Sequence, residues 1–576
     1  MILHALKEYY ERKAADPSSQ MAPEGFEWKE IPFVIVIDKE GNFIQIEDTR
    51  EGGGKEKRAK IFLVPQAVKR SSGIAANFFW DNPAYVLGIR TKTEVGRDNT
   101  IMQHYAFLDC FHKISEGIED IGIRAIKAFY SKSDYAKNIT LQPEFKEIKE
   151  KSPFISFRLS GQSHLICEAD DIRQALIRKR NEISVGVKET CLLTGENAEI
   201  LELHAAIKGI YGANTTGANI VSFNLGAFNS YAKSQGRNSP ISKSVAFAYT
   251  TALNHLLRKN SKQRMLVGDA TTVFWAAKAN PLEEQIIDIF GEPEKDDPEK
   301  NTRSIRELYK SIENGAYEKQ EGNTRFYVLG LSPNAARIAI RFWHVCTVRE
   351  LARNVHQHFD DLRIAEHSPK DQEHPSLFRL LVHTASQGKA DNIPPNLAGE
   401  TMRSILGGIP YPRTLLQTAV LRNKAEQMPN YYRVCLIKAC INRETRFKNS
   451  NQKEELRMSL DEQNQNIGYR LGRLFAVLQK VQEEASPGIN ATIRDRYYAS
   501  ASGTPMMVFP VLLRLKIHHI AKLENKGRAV NLEKLIGEIH EGISEYPAHL
   551  TLADQGRFAV GYYHQYQNFF KKGEAK

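Results

Sequence analysis

The sequence predicts an α+β fold: a mixed N-terminal α/β region with antiparallel hairpins, followed by an all-helical C-terminal bundle. Three observations predict it. β-Branched runs with two-residue alternation cluster before residue 366. Helical periodicity broken by prolines fills the chain after it. Finally, 576 residues exceed the ~250–300 at which one hydrophobic core stops growing, so more than one folding unit is expected. The expected division is 1–365 and 366–576.

Along the chain, Phe33-Val-Ile-Val-Ile-Asp and Phe43-Ile-Gln-Ile-Glu-Asp flank a Gly-containing loop and read as a hairpin. Segments 61–64 and 85–89 read as strands extending it. Helical periodicity covers 101–131, with Met102, Tyr105, Ala106, Phe107, Cys110 and Phe111 on one apolar stripe. A strand is expected at 153–159, then a helix over 168–180 whose early carboxylates suit the positive end of the helix dipole. Phe326-Tyr-Val-Leu-Gly-Leu and Ile338-Ala-Ile-Arg-Phe-Trp read as two strands joined by a Ser-Pro-Asn turn. In the bundle, Pro394-Pro and Pro410-Tyr-Pro separate helices, and 459–482 is one long amphipathic stretch.

The formal net charge of +11, with charged residues at an ordinary 26%, favours polyanions as partners without defining a site. Six cysteines lack a C-x-x-C pair and the spacing of a disulfide scaffold, which suits a reducing cytoplasm. The opening decapeptide has neither the basic flank nor the apolar core of a signal peptide, and no stretch reaches the ~18–20 apolar residues of a membrane helix. A cytoplasmic protein with no membrane partner is expected.

Signs of catalysis are weak. Gly212-Ala-Asn-Thr-Thr-Gly has the glycine spacing of a phosphate-binding loop, but Ala218 and Asn219 stand where Lys and Ser/Thr should meet phosphate and magnesium. His356 and Asp360 are at i,i+4, a spacing compatible with a metal, though a solvated helix face is the plainer reading. Cys191 with His204, and Cys435 with Cys440, read as core residues. No G-x-S-x-G or H-E-x-x-H motif occurs. The chain is expected to be non-catalytic, with no cofactor and no metal. A metal-dependent nuclease and an architectural bridging protein stay open as alternatives.

Residues 212–244 are the best candidate for touching DNA. Asn and Gln side chains pair bidentately with adenine, Arg and Lys with guanine or phosphate, and glycine permits close approach to a groove. The alternative is an Asn-rich connection whose side chains satisfy their own backbone.

Several motifs carry a resemblance that runs nearly end to end. They are the opening Met1-Ile-Leu-His-Ala-Leu-Lys-Glu-Tyr-Tyr, Arg70-Ser-Ser-Gly-Ile-Ala-Ala-Asn-Phe-Phe-Trp-Asp-Asn, Val221-Ser-Phe-Asn, Ser230-Tyr-Ala-Lys-Ser-Gln-Gly-Arg-Asn-Ser-Pro, Gly268-Asp-Ala-Thr-Thr-Val-Phe-Trp-Ala, Leu329-Gly-Leu-Ser-Pro-Asn-Ala-Ala-Arg and Tyr411-Pro-Arg-Thr-Leu-Leu. With them the chain resembles the large subunit of the type I-C CRISPR Cascade surveillance complex, the Cas-eight-c family. Ala232 departs from the glycine expected after Ser-Tyr.

The resemblance implies a subunit at the crRNA 5′ end that recognises the protospacer-adjacent motif in target double-stranded DNA. It also implies a role in opening the duplex for R-loop formation and a docking platform for a helicase-nuclease. Guide pairing would read the target while the protein reads only the flanking motif. Cascade backbone and crRNA-processing subunits are the implied partners. Candidate motif contacts are Asn224, Asn229, Lys233, Gln235, Arg237 and Asn238, with Lys69, Arg70 and Asn77 as a second group.

The resemblance further implies that Met458 starts a separately translated small subunit from the same gene, spanning 458–576 and within ordinary domain size. An ordinary internal methionine is the alternative. Arg470, Arg473, Arg494, Arg496, Arg514 and Lys516 are then expected to line a path for the displaced strand.

Overall fold

A computed structural model describes the chain except at residues 20, 53–57, 69, 71–72, 92–97, 134, 183–186, 295, 298, 318–319, 366–370, 450–454 and 571–576. The expected α+β class holds, with hairpins first and helices last. Two compact units form: Met1–Lys208 with Thr216–His255, and Gly209–Thr215 with Leu256–Lys576. The boundary expected at 365/366 adjoins residues outside those described. The change from strands to helices that suggested it occurs inside the second unit.

In the first unit, β1 (Phe26–Glu30), β2 (Phe33–Ile37), β3 (Phe43–Asp48), β4 (Ile61–Pro65) and β5 (Ile155–Leu159) form two small sheets. The expected hairpin is β2 with β3, and β5 adds to β2 in parallel. Every residue of β2 and β5 is buried, so their side chains feed the core on both faces with Phe107, Phe111, Ile126 and Phe129. β4 does not extend this sheet but pairs antiparallel with β1, whose Phe-Glu-Trp-Lys-Glu alternation the sequence reading passed over. A final short hairpin joins β6 (Lys188–Thr190) and β7 (Asn197–Glu199).

Segment 85–89 is not a strand. Pro83–Leu87 is a helix, because Asn82 accepts from the Ala84 and Tyr85 amides, Pro83 presets the first turn and Gly88 ends it at φ 65°. Those capping residues outweigh the β-branched composition. The 101–131 stretch divides into helices Thr100–Ser115 and Ile121–Ser131, the second capped by Asp120. Phe107 and Phe111 point into the core, but Met102 and Tyr105 are exposed. The apolar stripe is therefore narrower than its composition suggested.

The second unit opens on an antiparallel sheet in the order β11-β10-β9-β8, comprising β8 (Arg264–Val267), β9 (Ala270–Ala276), β10 (Arg325–Asn334) and β11 (Arg337–Thr347). The expected pair is β10 with β11, but Ser332-Pro-Asn, expected as the turn, belongs to β10, and the chain turns at Ala335 (φ 52°). Phe274, Phe326, Val328 and Phe342 join one core with helices Val348–Leu362, Leu397–Gly407, Arg413–Ala425 and Tyr431–Lys448. Thr347 and Glu350 form a capping box that starts the first of these helices directly off β11.

A second core in this unit has all its buried residues within 471–562. Its central pair is helix Ile467–Ala485 against helix Leu552–Asn568. The expected long helix begins at Ile467 because Asn466 caps it, leaving 459–466 as an irregular approach with a turn at 462–463. The pair packs backbone to backbone. A Cβ on Gly472 would sit 2.1 Å from the Phe558 carbonyl oxygen, and one on Gly561 2.2 Å from that of Tyr469. No helix among the described residues is long and apolar enough to cross a membrane.

Candidate nucleic-acid interface

The segment 224–238 folds into a braced turn within the first unit. Ser230 and Lys233 form an isolated antiparallel bridge closed by Lys233 N–H donating to the Ser230 carbonyl at 2.9 Å. Between them, Tyr231 and Ala232 have φ of 50° and 56°. Two consecutive left-handed residues define a type I′ turn, which strongly prefers Asn or Gly. Neither residue here is of that type, and each non-glycine in this region costs about 1–2 kcal/mol. The glycine expected at 232 is thus the relaxed choice for this backbone, and alanine holds the same turn under strain.

The surrounding bonds hold that strain. Asn238 donates from Nδ2 to the carbonyls of Lys233 (3.2 Å) and Gln235 (3.1 Å), while its Oδ1 accepts from the Ser230 amide (2.9 Å). Gln235 is itself left-handed at φ 49°. At Gly236 a Cβ would meet the Leu201 and Glu202 carbonyl oxygens at 2.5 and 2.6 Å, so only glycine fits. From β6, Glu189 takes Arg237 at 2.7 Å and Lys233 at 3.7 Å. Its bond to Arg237, helped by the charge of Lys233, holds the Glu189 carboxyl below the usual carboxylate range. Beyond the turn, Leu192 and Leu201 donate to the Pro240 and Ile241 carbonyls, tying the segment to the β6–β7 hairpin.

This braced turn presents Tyr231, whose surface is 95% exposed. Asn224, Leu225 and Asn229 are exposed on the approach to it. Sequence reading named the polar candidates and did not single out Tyr231, although its place between Ser230 and Ala232 in a glycine- and asparagine-rich run was the available signal. The structure brings Lys233, Gln235, Arg237 and Asn238 into one scaffold. Asn238 serves the turn's own backbone, and Arg237 and Lys233 are shared with Glu189.

The second candidate group has a different organisation. Lys69 lies outside the described residues. Arg70 donates from Nε to the Ala75 carbonyl at 2.6 Å, bonds the buried Asp81 carboxylate and stacks 4.2 Å over the Tyr85 ring. Burial raises the Asp81 pKa, against the Arg70 bond that lowers it. Asn77 is buried, its side-chain oxygen accepting from Val68 N at 2.9 Å while its backbone N–H donates to Asp81. These side chains latch a loop, which corrects the expectation that Asn77 is a surface contact.

The displaced-strand candidates divide likewise. Arg470 and Arg473 are buried: Arg470 donates to the Asn464 carbonyl at 3.0 Å, and Arg473 to Gln565 at 3.1 Å and the Glu462 carbonyl at 3.2 Å. They secure segment 459–466 to the helix pair and do not line a surface, because that approach segment covers them. Arg494 bonds Asp495, and Lys516 bonds Glu533 at 3.1 Å, whereas Arg496 and Arg514 are exposed.

The other candidate motifs are also placed. Asn219 donates to the His204 and Ala205 carbonyls, bracing backbone where a phosphate-binding loop would have its hydroxyl. His356 and Asp360 pair at 3.0 Å, with the Tyr309 hydroxyl donating to Asp360 at 3.2 Å. Among the described residues, no three His, Cys, Asp or Glu side chains gather as a metal site. All six cysteines are free thiols.

The first unit thus presents an exposed aromatic on a braced turn beside amides and cations. The sequence profile of the CRISPR-associated protein (Cas_Csd1) family matches residues 6–570, and the chain belongs to that family. The comparison with curated proteins found no match.

Proposed function

We propose that this chain is the non-catalytic large subunit of a type I-C Cascade complex. In this reading it recognises the protospacer-adjacent motif in duplex DNA, aids duplex opening and R-loop formation, and offers a docking platform to a helicase-nuclease. crRNA, the backbone and crRNA-processing subunits and a small subunit started at Met458 are its partners. Family membership supports the CRISPR setting. The observation that carries the motif-reading role is the Ser230–Lys233 turn, two left-handed non-glycine residues braced to hold Tyr231 at 95% exposure.

Backbone strain of this kind persists where surrounding bonds over-determine it, and it gathers at binding sites. A tyrosine ring held out from the surface can wedge at a base step, where the cost of deformation depends on sequence, while Asn224 and Asn229 offer amides for base edges. Lys233 and Arg237, oriented by Glu189, supply positive charge for phosphate, which fixes register without reading sequence. In the bundle, Arg496 and Arg514 are the candidates that remain for the displaced strand.

The test is a gel-shift of motif-bearing and motif-scrambled duplexes, with and without crRNA and backbone subunits, titrated against salt. A preference for the motif that survives across salt concentrations is expected. Equal affinity for both duplexes, falling together with salt, would leave only phosphate attraction and overturn the reading.

A further inference from the structure

A second aromatic is presented in the other unit, in a setting the motif-reading role does not use. Residues 210–213 make a turn, with the Ala213 amide donating to the Ile210 carbonyl at 3.2 Å. The Tyr211 amide donates to Thr271 Oγ1 on β9 at 2.9 Å, which fixes the turn to the sheet. Gly209 (φ 86°) lies so close to the Leu257 carbonyl that a Cβ there would stand 2.6 Å from its oxygen. The Tyr211 side chain is left 63% exposed.

Facing it is β8, the edge strand of the sheet, with Arg264, Met265 and Leu266. Together with Lys259 and Thr271 these residues line an open cleft of about 340 Å³. Arg264 is oriented by one bond to the Leu257 carbonyl at 3.1 Å, and Lys259 is exposed. None of the lining residues is acidic. An aromatic face, an exposed leucine and two cations therefore line one small opening, near the lower end of the ~300–1,000 Å³ range of ligand clefts. That volume suits a single nucleotide, and no duplex fits it.

We propose that this cleft holds one nucleotide of a single-stranded nucleic acid, its base on the Tyr211 ring and its phosphate between Lys259 and Arg264. Stacking on an exposed aromatic is tolerant of sequence, and paired cations follow the backbone. The site thus takes a strand without selecting its bases.

The experiment uses the full-length chain and fluorescent single strands of about eight nucleotides, within the footprint of such sites, in DNA and RNA forms that identify which strand binds more tightly. Tyr211→Ala is expected to weaken binding about tenfold, the range of one lost base stack, and Tyr211→Phe to retain it. Lys259→Gln is expected to reduce the salt slope by about 0.7, one phosphate contact on a single strand. A 5-iodouracil strand should crosslink to the peptide carrying Tyr211. Because Tyr211 is exposed, its truncation leaves the core intact, and an unchanged melting curve confirms that. Parental affinity in Tyr211→Ala, or crosslinks that avoid this peptide, would overturn the proposal.

Discussion

Asp361 shows how much one buried carboxylate organises. It accepts from Arg443 at 3.1 Å and Arg446 at 2.8 Å, while its carbonyl accepts from Lys438. Asp361 and Arg443 are 3% and 2% exposed, and Arg443 stacks 4.4 Å from the Tyr411 ring. Removing one partner of such a pair strands the other charge. Asp361→Asn is therefore expected to cost about 3–5 kcal/mol, read as a lowered denaturant midpoint with the slope retained. A surface pair in the first unit gives a pH signature. The Arg50 bond, with Lys151, lowers the Glu147 carboxyl from its ordinary 4.5 to about 2. Its contribution is present above pH ~4.5 and is lost as pH falls from there toward 2. Glu147→Gln should flatten the fall in stability across that window in urea titrations, and an unaltered fall would assign it to other carboxylates.

At the scale of elements, helix Ile467–Ala485 approaches helix Leu552–Asn568 through Gly468, Gly472 and Gly561. Gly472→Ala would gain about 1 kcal/mol of helix propensity, but the added methyl meets the Phe558 carbonyl oxygen and the Tyr562 amide, which cannot turn aside as a side chain can. Overpacking costs about 1–3 kcal/mol, so the net effect expected in a thermal melt is destabilisation. The same elements show what was legible beforehand. The β2–β3 hairpin, β10 with β11 and the helical C-terminal half followed from alternation and periodicity, which are local. Pro83–Leu87 was misread because composition was weighed above its Asn82, Pro83 and Gly88 caps. The burial of Arg470 and Arg473 depends on the 459–466 segment lying over them, a tertiary fact that no helical pattern carries. The 224–238 loop was legible as polar and glycine-rich. Its exposed Tyr231 was not, because a type I′ turn made of tyrosine and alanine runs against the residue preferences that signal such turns.

For the whole molecule, the residues after Met458 carry a core of their own, from Leu471 to Tyr562. The opposite side of the same helix pair, with Tyr469, Ala559, Val560 and Tyr563, belongs to the core built with earlier helices. A product started at Met458 is therefore expected to fold cooperatively by circular dichroism while binding a hydrophobic dye through that uncovered face. Replacing the Met458 codon should remove the small band from the purified complex. A fragment without a cooperative melt would argue against a separate small subunit.

The central claim is that the braced turn reads the motif flanking the target. Its most direct test is the affinity ratio of the assembled complex for motif-bearing over motif-scrambled duplex, at fixed salt, before and after Tyr231→Ala. With Tyr231 95% exposed, the change spares the fold. The ratio is expected to fall about tenfold, the scale of one lost motif-specific contact, while affinity for the scrambled duplex holds. An unchanged ratio with an unchanged melting temperature would contradict the claim and move motif reading away from this turn.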